Sequence, residues 1–150
     1  MAHVEQSVLV FTQTPNGHID AAQLVSNARK FFSVEMEVLL AEPAPDRCQL
    51  IELTLDGARF QVQAREVQDS DLARARTAER SGRAAGMSDL AARCGHVWCI
   101  NDSAASERSA LLLQALLASV ALGPVLPVDD STLYGVRGAR ERADRISASS

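Results

Sequence analysis

The sequence predicts an α+β domain, a two-layer sandwich in which helices cover one face of a mixed, mostly antiparallel sheet. Three observations predict it: a β-hairpin at 50–64, a short apolar run at 7–12, and helical spacing of apolar residues between the predicted strands. Read in order, the elements follow the pattern β-α-β-β-β-α-α-β-α-(β). Strands and helices in this order pack as a sheet with helices against it.

The hairpin is the strongest local signal in the chain. Asp56 and Gly57 separate two strands of alternating polarity, LIELTL and ARFQVQA, and an Asp-Gly pair favours the positive φ angles of a type I′ turn. In this register Leu53 faces Phe60 on an apolar side. Because the other side is polar, we expect one face of the hairpin on the core and the other toward water or a partner.

The first part of the chain predicts a strand, a helix and a second strand. The apolar run at 7–12 is typical of a central strand that is buried on both faces. Apolar residues recur at helical spacing over 18–32, with Asp20 in the first turn and basic residues in the last. Alternation over 34–40 predicts the next strand.

The second part predicts two short helices, a strand and a long apolar helix. Ser70 and Ser88 are the expected N-caps of the two short helices. After a strand at 96–100, the helix at 106–122 is apolar on most of its surface, so we expect a core helix and, where it is uncovered, a dimer interface. Residues 125–128 contain a proline and are a candidate edge strand.

These elements predict one domain over 1–134. At 150 residues with 47% hydrophobic content, the chain is long enough for one sizeable core. The order of the elements is a variant of the split βαβ arrangement of ferredoxin-like sandwiches. After Tyr134 the apolar periodicity is lost, so residues 135–150 are expected to form a frayed or disordered tail.

Composition disfavours two classes of partner. A net charge of -4 gives no general attraction to phosphate backbones, and 4% aromatic residues leave few side chains for base stacking, so we expect no nucleic acid. Since the longest apolar segment falls short of the ~20 residues that cross a bilayer, we expect no membrane.

The N-terminus carries no recognisable secretory signal and the three cysteines lack a framework spacing, so a cytoplasmic location is expected.

Cys94, His96 and Cys99 form a cluster of candidate metal ligands, with Cys48 as a candidate fourth. An extended strand over 96–100 points His96 and Cys99 to opposite faces. The sequence therefore favours buried free thiols over a zinc site, and it predicts no metal and no cofactor.

Polar residues follow two of the predicted strands. They are Thr14, Asn16 and His18 after the first strand, and Asn101, Asp102 and Ser103 after the strand at 96–100. If these strands run parallel, their C-terminal ends meet at one edge of the sheet, where open α/β folds place ligands. His18 and Asp102 would then be a base and its orienting acid. Residues of these types are also common turn formers and helix caps, so both interpretations stay open.

The polar side of the hairpin is a second candidate surface. It carries Glu52, Arg59, Gln61, Gln63 and Arg65. Mixed charges and amides on a flat sheet suit recognition of another protein or pairing at a sheet edge. They equally suit a solvated face.

The sequence contains no P-loop, no G-x-G-x-x-G and no H-E-x-x-H, and Gly86-Met87-Ser88 lacks the closing glycine of a hydrolase elbow. It therefore leaves enzymatic activity undecided but does not favour it. We expect a small protein-interaction module, of the adaptor, chaperone-like or immunity type, that binds another protein or forms a homodimer. The alternative is a small-molecule sensor or enzyme with its site near His18 and Asp102.

Overall fold

A computed structural model describes residues 8–14, 18–42, 49–82, 84–100, 107–127 and 131–148 of the chain. Its elements, in chain order, are β1 (Val8–Thr12), α1 (Ala21–Phe32), β2 (Met36–Glu42), β3 (Leu50–Leu55), β4 (Ala58–Glu66), α2 (Asp69–Gly82), α3 (Met87–Ala92), β5 (His96–Ile100), α4 (Glu107–Ala121), β6 (Val125–Leu126) and α5 (Val136–Ala148). The predicted α+β class is confirmed.

The six strands form one sheet in the order β2-β3-β4-β5-β1-β6. Every pair of neighbours is antiparallel, so the sheet is not mixed. Four antiparallel steps separate β1 from β2, and these two strands therefore run in the same direction. With α1 as their connection, they form a split βαβ unit that has β3, β4 and β5 inserted between its strands.

The β3–β4 hairpin has the predicted register, with Leu53 opposite Phe60. Asp56 and Gly57 adopt φ angles of 51° and 84°, as a type I′ turn requires. Arg108 near the start of α4 donates a hydrogen bond from Nη1 to Oδ2 of Asp56 at 2.6 Å. The turn is thereby held against the helix that fills the core.

The apolar side of the hairpin belongs to the main core. Leu53, Trp98 and Leu116 are completely buried in this cluster, in which α1 and α4 pack against one face of the sheet. Asp20 is the N-cap of α1 and accepts a hydrogen bond from the Ala22 N–H at 2.9 Å. The acid that the sequence places at the start of this helix thus satisfies one of its unpaired amides.

Helices cover both faces of the sheet, where the sequence predicted cover on one. Successive strand residues point to opposite faces, so Leu9 and Phe11 of β1 and Val97 of β5 face away from the main core. These side chains form a second apolar cluster with Ala75 of α2 and Ala91 of α3. The reason lies in β1 itself, which is apolar on both faces and needs cover on both.

The C-terminal segment is a packed helix, and the expected frayed tail is not found over 136–148. In α5, Ala139 and Ala143 are buried against the main core. Arg140 lies over the ring of Phe32, 5.1 Å from its centroid. Two alanines four residues apart are too small to register as an apolar stripe, which is why the sequence pattern did not reveal this helix.

α4 is buried on all sides along 111–118, between the sheet and α5. The surface that was expected to form a dimer interface if left uncovered is therefore covered within the chain. None of the helices that the structure describes combines the length and the apolar character needed to cross a membrane.

Carboxylates, and not the predicted serines, fix the starts of α2 and α3. Ser70 lies inside α2, while Asp71 accepts the N–H of Gln68 at 2.8 Å. The N-cap of α3 is Gly86, and Ser88 donates both its N–H (3.2 Å) and its hydroxyl (3.0 Å) to the Glu79 carboxylate. Because these hydrogen bonds favour the ionised carboxylate, they lower the pKa of Glu79.

Candidate functional site

The site predicted at the strand ends depended on β1 and β5 being parallel, and that condition is not met. The two strands are antiparallel neighbours, with Thr12 opposite His96 and Val8 opposite Ile100. The C-terminal end of β1 therefore lies beside the N-terminal end of β5, and the two C-terminal ends are at opposite ends of the strands. The residues Asn16, Asn101, Asp102 and Ser103 lie outside the described part of the chain.

The two described residues of that predicted site, Thr14 and His18, lie on either side of 15–17, which fall outside the described part of the chain. Thr14 donates its N–H to Oγ1 of Thr12 at 3.1 Å, and the two hydroxyl oxygens are 2.7 Å apart. His18 is partly buried beside Ile19, whose N–H donates to Oε1 of Gln49 at 2.9 Å. The Thr12–Thr14 hydrogen bonds are of the kind that turn-forming residues make, and a ligand-binding role for Thr14 and His18 stays a prediction.

The cysteine and histidine cluster is divided between the two faces of the sheet. Cys94 and Cys99 lie with the second apolar cluster, and His96 precedes Trp98 on the opposite face. Burial raises the pKa of the Cys94 thiol to about 11. Burial also raises the pKa of Cys99, although Arg65 opposes this shift. No group of three candidate ligands is found among the described residues, which exclude Cys48.

The structure brings the five predicted hairpin residues together on one surface, the side of β3 and β4 that faces away from the main core. This surface, the open face, consists of Glu52, Thr54, Arg59, Gln61, Gln63 and Arg65, with Glu37 of β2 beside it. Arg59, Gln61 and Gln63 are exposed, and Arg65 is partly exposed. Their role in binding stays a prediction.

The open face has a rigid base. Directly beneath it, Ile51, Leu53, Phe60 and Val62 are at most 2% exposed. Close-packed side chains of this kind allow little movement of the backbone above them. The positions of the exposed side chains are therefore fixed by strand pairing and by the core below.

α2 forms a border of the open face through an ion pair. Arg65 donates Nη1 to Oδ2 of Asp71 at 2.6 Å and Nη2 to Oδ1 at 2.8 Å. Burial by itself raises the pKa of Asp71, but the hydrogen bonds from Arg65 and from the Gln68 N–H outweigh it and leave this pKa below its usual value. Asp71 is therefore ionised at neutral pH and joins the end of β4 to the start of α2.

Two exposed leucines flank the open face on β2. Leu39 and Leu40 are 45% and 37% exposed, and a β-bulge lies between Val38 and Leu40. The strand predicted over 34–40 rests on regular alternation of apolar and polar residues, which does not include this feature. Two consecutive leucines interrupt that alternation, and they are the signal that indicates a bulge.

A groove of ≈ 280 Å³ lies along the outer side of α1. It is lined by Ala22, Val25, Ser26, Arg29 and Lys30. None of the residues that were predicted to form a ligand site at the strand ends lines this groove.

No family model, curated protein or solved structure matches this chain.

Proposed function

We propose that this chain is a protein-interaction module that binds another protein through its open face. The observation that supports this most is the unequal cover of one side of the sheet. α2 and α3 lie over β5, β1 and β6. Over β3 and β4, the described residues leave the same side of the sheet uncovered.

The shape of this surface favours a macromolecule over a small ligand. Three strands spaced by about 4.8 Å, each about six residues long, give a surface of roughly 10 Å by 20 Å. Small-molecule sites are concave and enclose most of the ligand. A flat area of about 200 Å² cannot enclose a small molecule, but it can form the centre of a protein interface, whose standard size is about 800 Å² on each partner.

The side chains of the open face can exchange their contacts at low cost. Arg59 and Glu52 form an ion pair at 3.5 Å in which the Arg59 side chain is 71% exposed and the Glu52 side chain 30% exposed, and pairs that solvent reaches in this way contribute little stability. A carboxylate of a partner can therefore replace Glu52 beside Arg59, while Gln61 offers both a donor and an acceptor. Arginine is also among the residues that most often dominate binding energy at interfaces.

Native mass spectrometry of untagged protein, purified gently from its own cells, tests this proposal. We expect the mass of the chain plus one partner chain. The double variant Arg59→Ala with Gln61→Ala should then weaken this complex by about tenfold or more. Its circular dichroism and melting curve should match those of the unchanged protein.

The matched control is Arg76→Ala with Arg80→Ala, which removes two exposed side chains from α2. This control should retain the complex. A complex that survives the open-face variant would contradict the proposal. A doubled mass that reverts to a monomer in the open-face variant would also contradict it, because the open face would then bind a second copy of the chain. A monomer carrying a small non-protein mass would favour the small-molecule alternative.

A further inference from the structure

β2 is a long outer strand, and its outer side is unpaired within the described residues. Its hydrogen-bonded neighbour in the sheet is β3. At the opposite edge, β6 has only two residues, and Val125 exchanges two backbone hydrogen bonds with Tyr134, with N···O distances of 2.7 and 3.0 Å. The two edges therefore differ: within the described ranges, β2 offers a row of backbone N–H and C=O groups to another strand, whereas the two residues of β6 do not.

β2 itself carries exposed apolar side chains. Five large apolar residues are exposed in the described part of the chain, and two of them, Leu39 and Leu40, lie on β2; a third, Phe31, lies in the last turn of α1, which precedes β2 in the chain. On the core side of the strand, Val38 is only partly buried against the main core. An added strand would cover apolar surface on both sides of β2.

The charge of this edge indicates which kind of strand it accepts. Glu35 and Glu37 are exposed where β2 begins. Glu35 has Arg29 at 3.4 Å, but both side chains are more than 70% exposed, so this pair neutralises little charge. A second copy of β2 would bring the same glutamates to its own acidic edge, whereas a basic segment would neutralise them.

We infer that β2 takes an extended segment of the partner as an additional strand, with arginine or lysine on the side of the open face and β-branched apolar residues on the core side. This inference rests on the proposed function, since it names the class of partner. The aliphatic stem of an arginine can cover Leu39 and Leu40 while its guanidinium pairs with Glu37. The bulge twists the edge locally, so binding also depends on these side-chain contacts and is selective.

The test uses a synthetic peptide of the same length as β2, with alternating arginine and valine, blocked at both ends and carrying a fluorophore. Fluorescence anisotropy on the full chain should show saturable binding, and amide exchange should slow along β2. The same peptide with every backbone nitrogen methylated keeps its charge but cannot donate hydrogen bonds, and we expect no binding. Glu37→Lys should weaken binding by about tenfold or more, because it places like charges across the pair.

Asp89→Lys on α3 is the matched control, because it makes the same charge change at an exposed position on a helix that lies over β5, β1 and β6, three or more strands away from β2. We expect less than about a twofold effect, since salt screens charges that lie more than ~10 Å apart. Equal effects of the two variants, equal binding of the methylated peptide, or no binding of the first peptide would overturn the inference. A concentration-dependent dimer that the peptide dissociates would also overturn it, because it would assign the edge to a second copy.

The two proposals fail separately. If the native complex depends on Arg59 and Gln61 but not on Glu37, the open face binds the partner without strand addition. If the peptide binds β2 but no partner chain accompanies the purified protein, the edge accepts a basic strand and the proposed function fails.

Discussion

Two halves of the same side of the sheet carry opposite chemistry. Under α2 and α3, the side chains of Leu9, Phe11 and Val97 are at most 1% exposed. On the open face, the equivalent positions are held by residues such as Gln61 and Gln63, which are exposed. The strands themselves set this difference, because β1 and β5 are apolar on both sides whereas the hairpin strands are apolar on one. On this side of the sheet, α2 and α3 cover the strands whose side chains are apolar, and the strands whose side chains are polar face solvent.

The largest expected difference between the two halves is in how much a substitution lowers the free energy of unfolding. Phe11→Ala removes a completely buried ring from the second apolar cluster, and it should lower the free energy of unfolding by about 3 to 5 kcal/mol. Gln61→Ala on the open face should change it by less than about 0.5 kcal/mol. Urea unfolding followed by circular dichroism measures both.

If Phe11→Ala does not fold, Phe11→Leu retains most of the volume and should cost about 1 kcal/mol. A loss at Gln61 as large as the loss at Phe11 would show that the open face is held by contacts of its own, and the comparison between the halves would fail.

The next prediction concerns the boundary between the two halves, where Asp71 of α2 pairs with Arg65 of β4. Asp71→Ala removes the partner of Arg65 and the acceptor of the Gln68 N–H, so we expect a loss of about 2 to 3 kcal/mol in unfolding free energy. Asp69→Ala, at an exposed position in the same first turn of α2, should cost less than about 0.5 kcal/mol. Equal losses would mean that the ion pair does not hold α2 against β4.

The same ion pair predicts a pH dependence. Because the folded state holds the pKa of Asp71 below its usual value, the stabilisation is complete above the unfolded pKa of about 3.9 and is lost as the pH falls through the folded value. The stability difference between the unchanged protein and Asp71→Asn should therefore be constant from about pH 7 to pH 5 and shrink below about pH 4. A difference that grows on acidification would contradict this assignment.

Local signals in the sequence account for what could be predicted. The Asp56-Gly57 turn and the alternation on either side of it lie within one short segment, and they define both the hairpin and the five polar residues of the open face. The antiparallel pairing of β1 with β5 could not be predicted in this way. It joins strands more than eighty residues apart, and their relative direction depends on the packing of the whole chain.

Two further features of the structure were not predicted from the sequence: the helix α5 and the ion pair of Asp71. The buried positions of α5 are the small residues Ala139 and Ala143, which carry little hydrophobic signal. The partner of Asp71 is Arg65 on a preceding strand, and helical spacing does not reveal a contact across the β4–α2 connection. Interactions within one element, or across the tight turn of the hairpin, could be predicted from the sequence, whereas those between elements distant in the chain needed the structure.

A smaller effect is expected where α2 ends. A Cβ atom added at Gly82 would collide with the side chain of Thr132 and lie 2.7 Å from its Cα. Gly82→Ala should therefore cost about 1 to 2 kcal/mol in spite of the better helix propensity of alanine. Gly95→Ala is the control, because nothing lies within 4 Å of its added Cβ, and it should leave stability unchanged within about 0.5 kcal/mol.

The smallest effect on stability is expected from making the open half resemble the covered half. Gln61→Ile with Gln63→Ile gives β4 apolar side chains on both faces, as in β1, and should change the free energy of unfolding by less than about 0.5 kcal/mol. Without a helix above them, the new isoleucines form an exposed apolar patch and should drive self-association, which sedimentation velocity detects. A variant that stays monomeric at all concentrations would show that polarity is not what keeps the open face free. If it associates while its fold is unchanged, then the polar residues of β4 keep the surface open until a partner with matching chemistry occupies it.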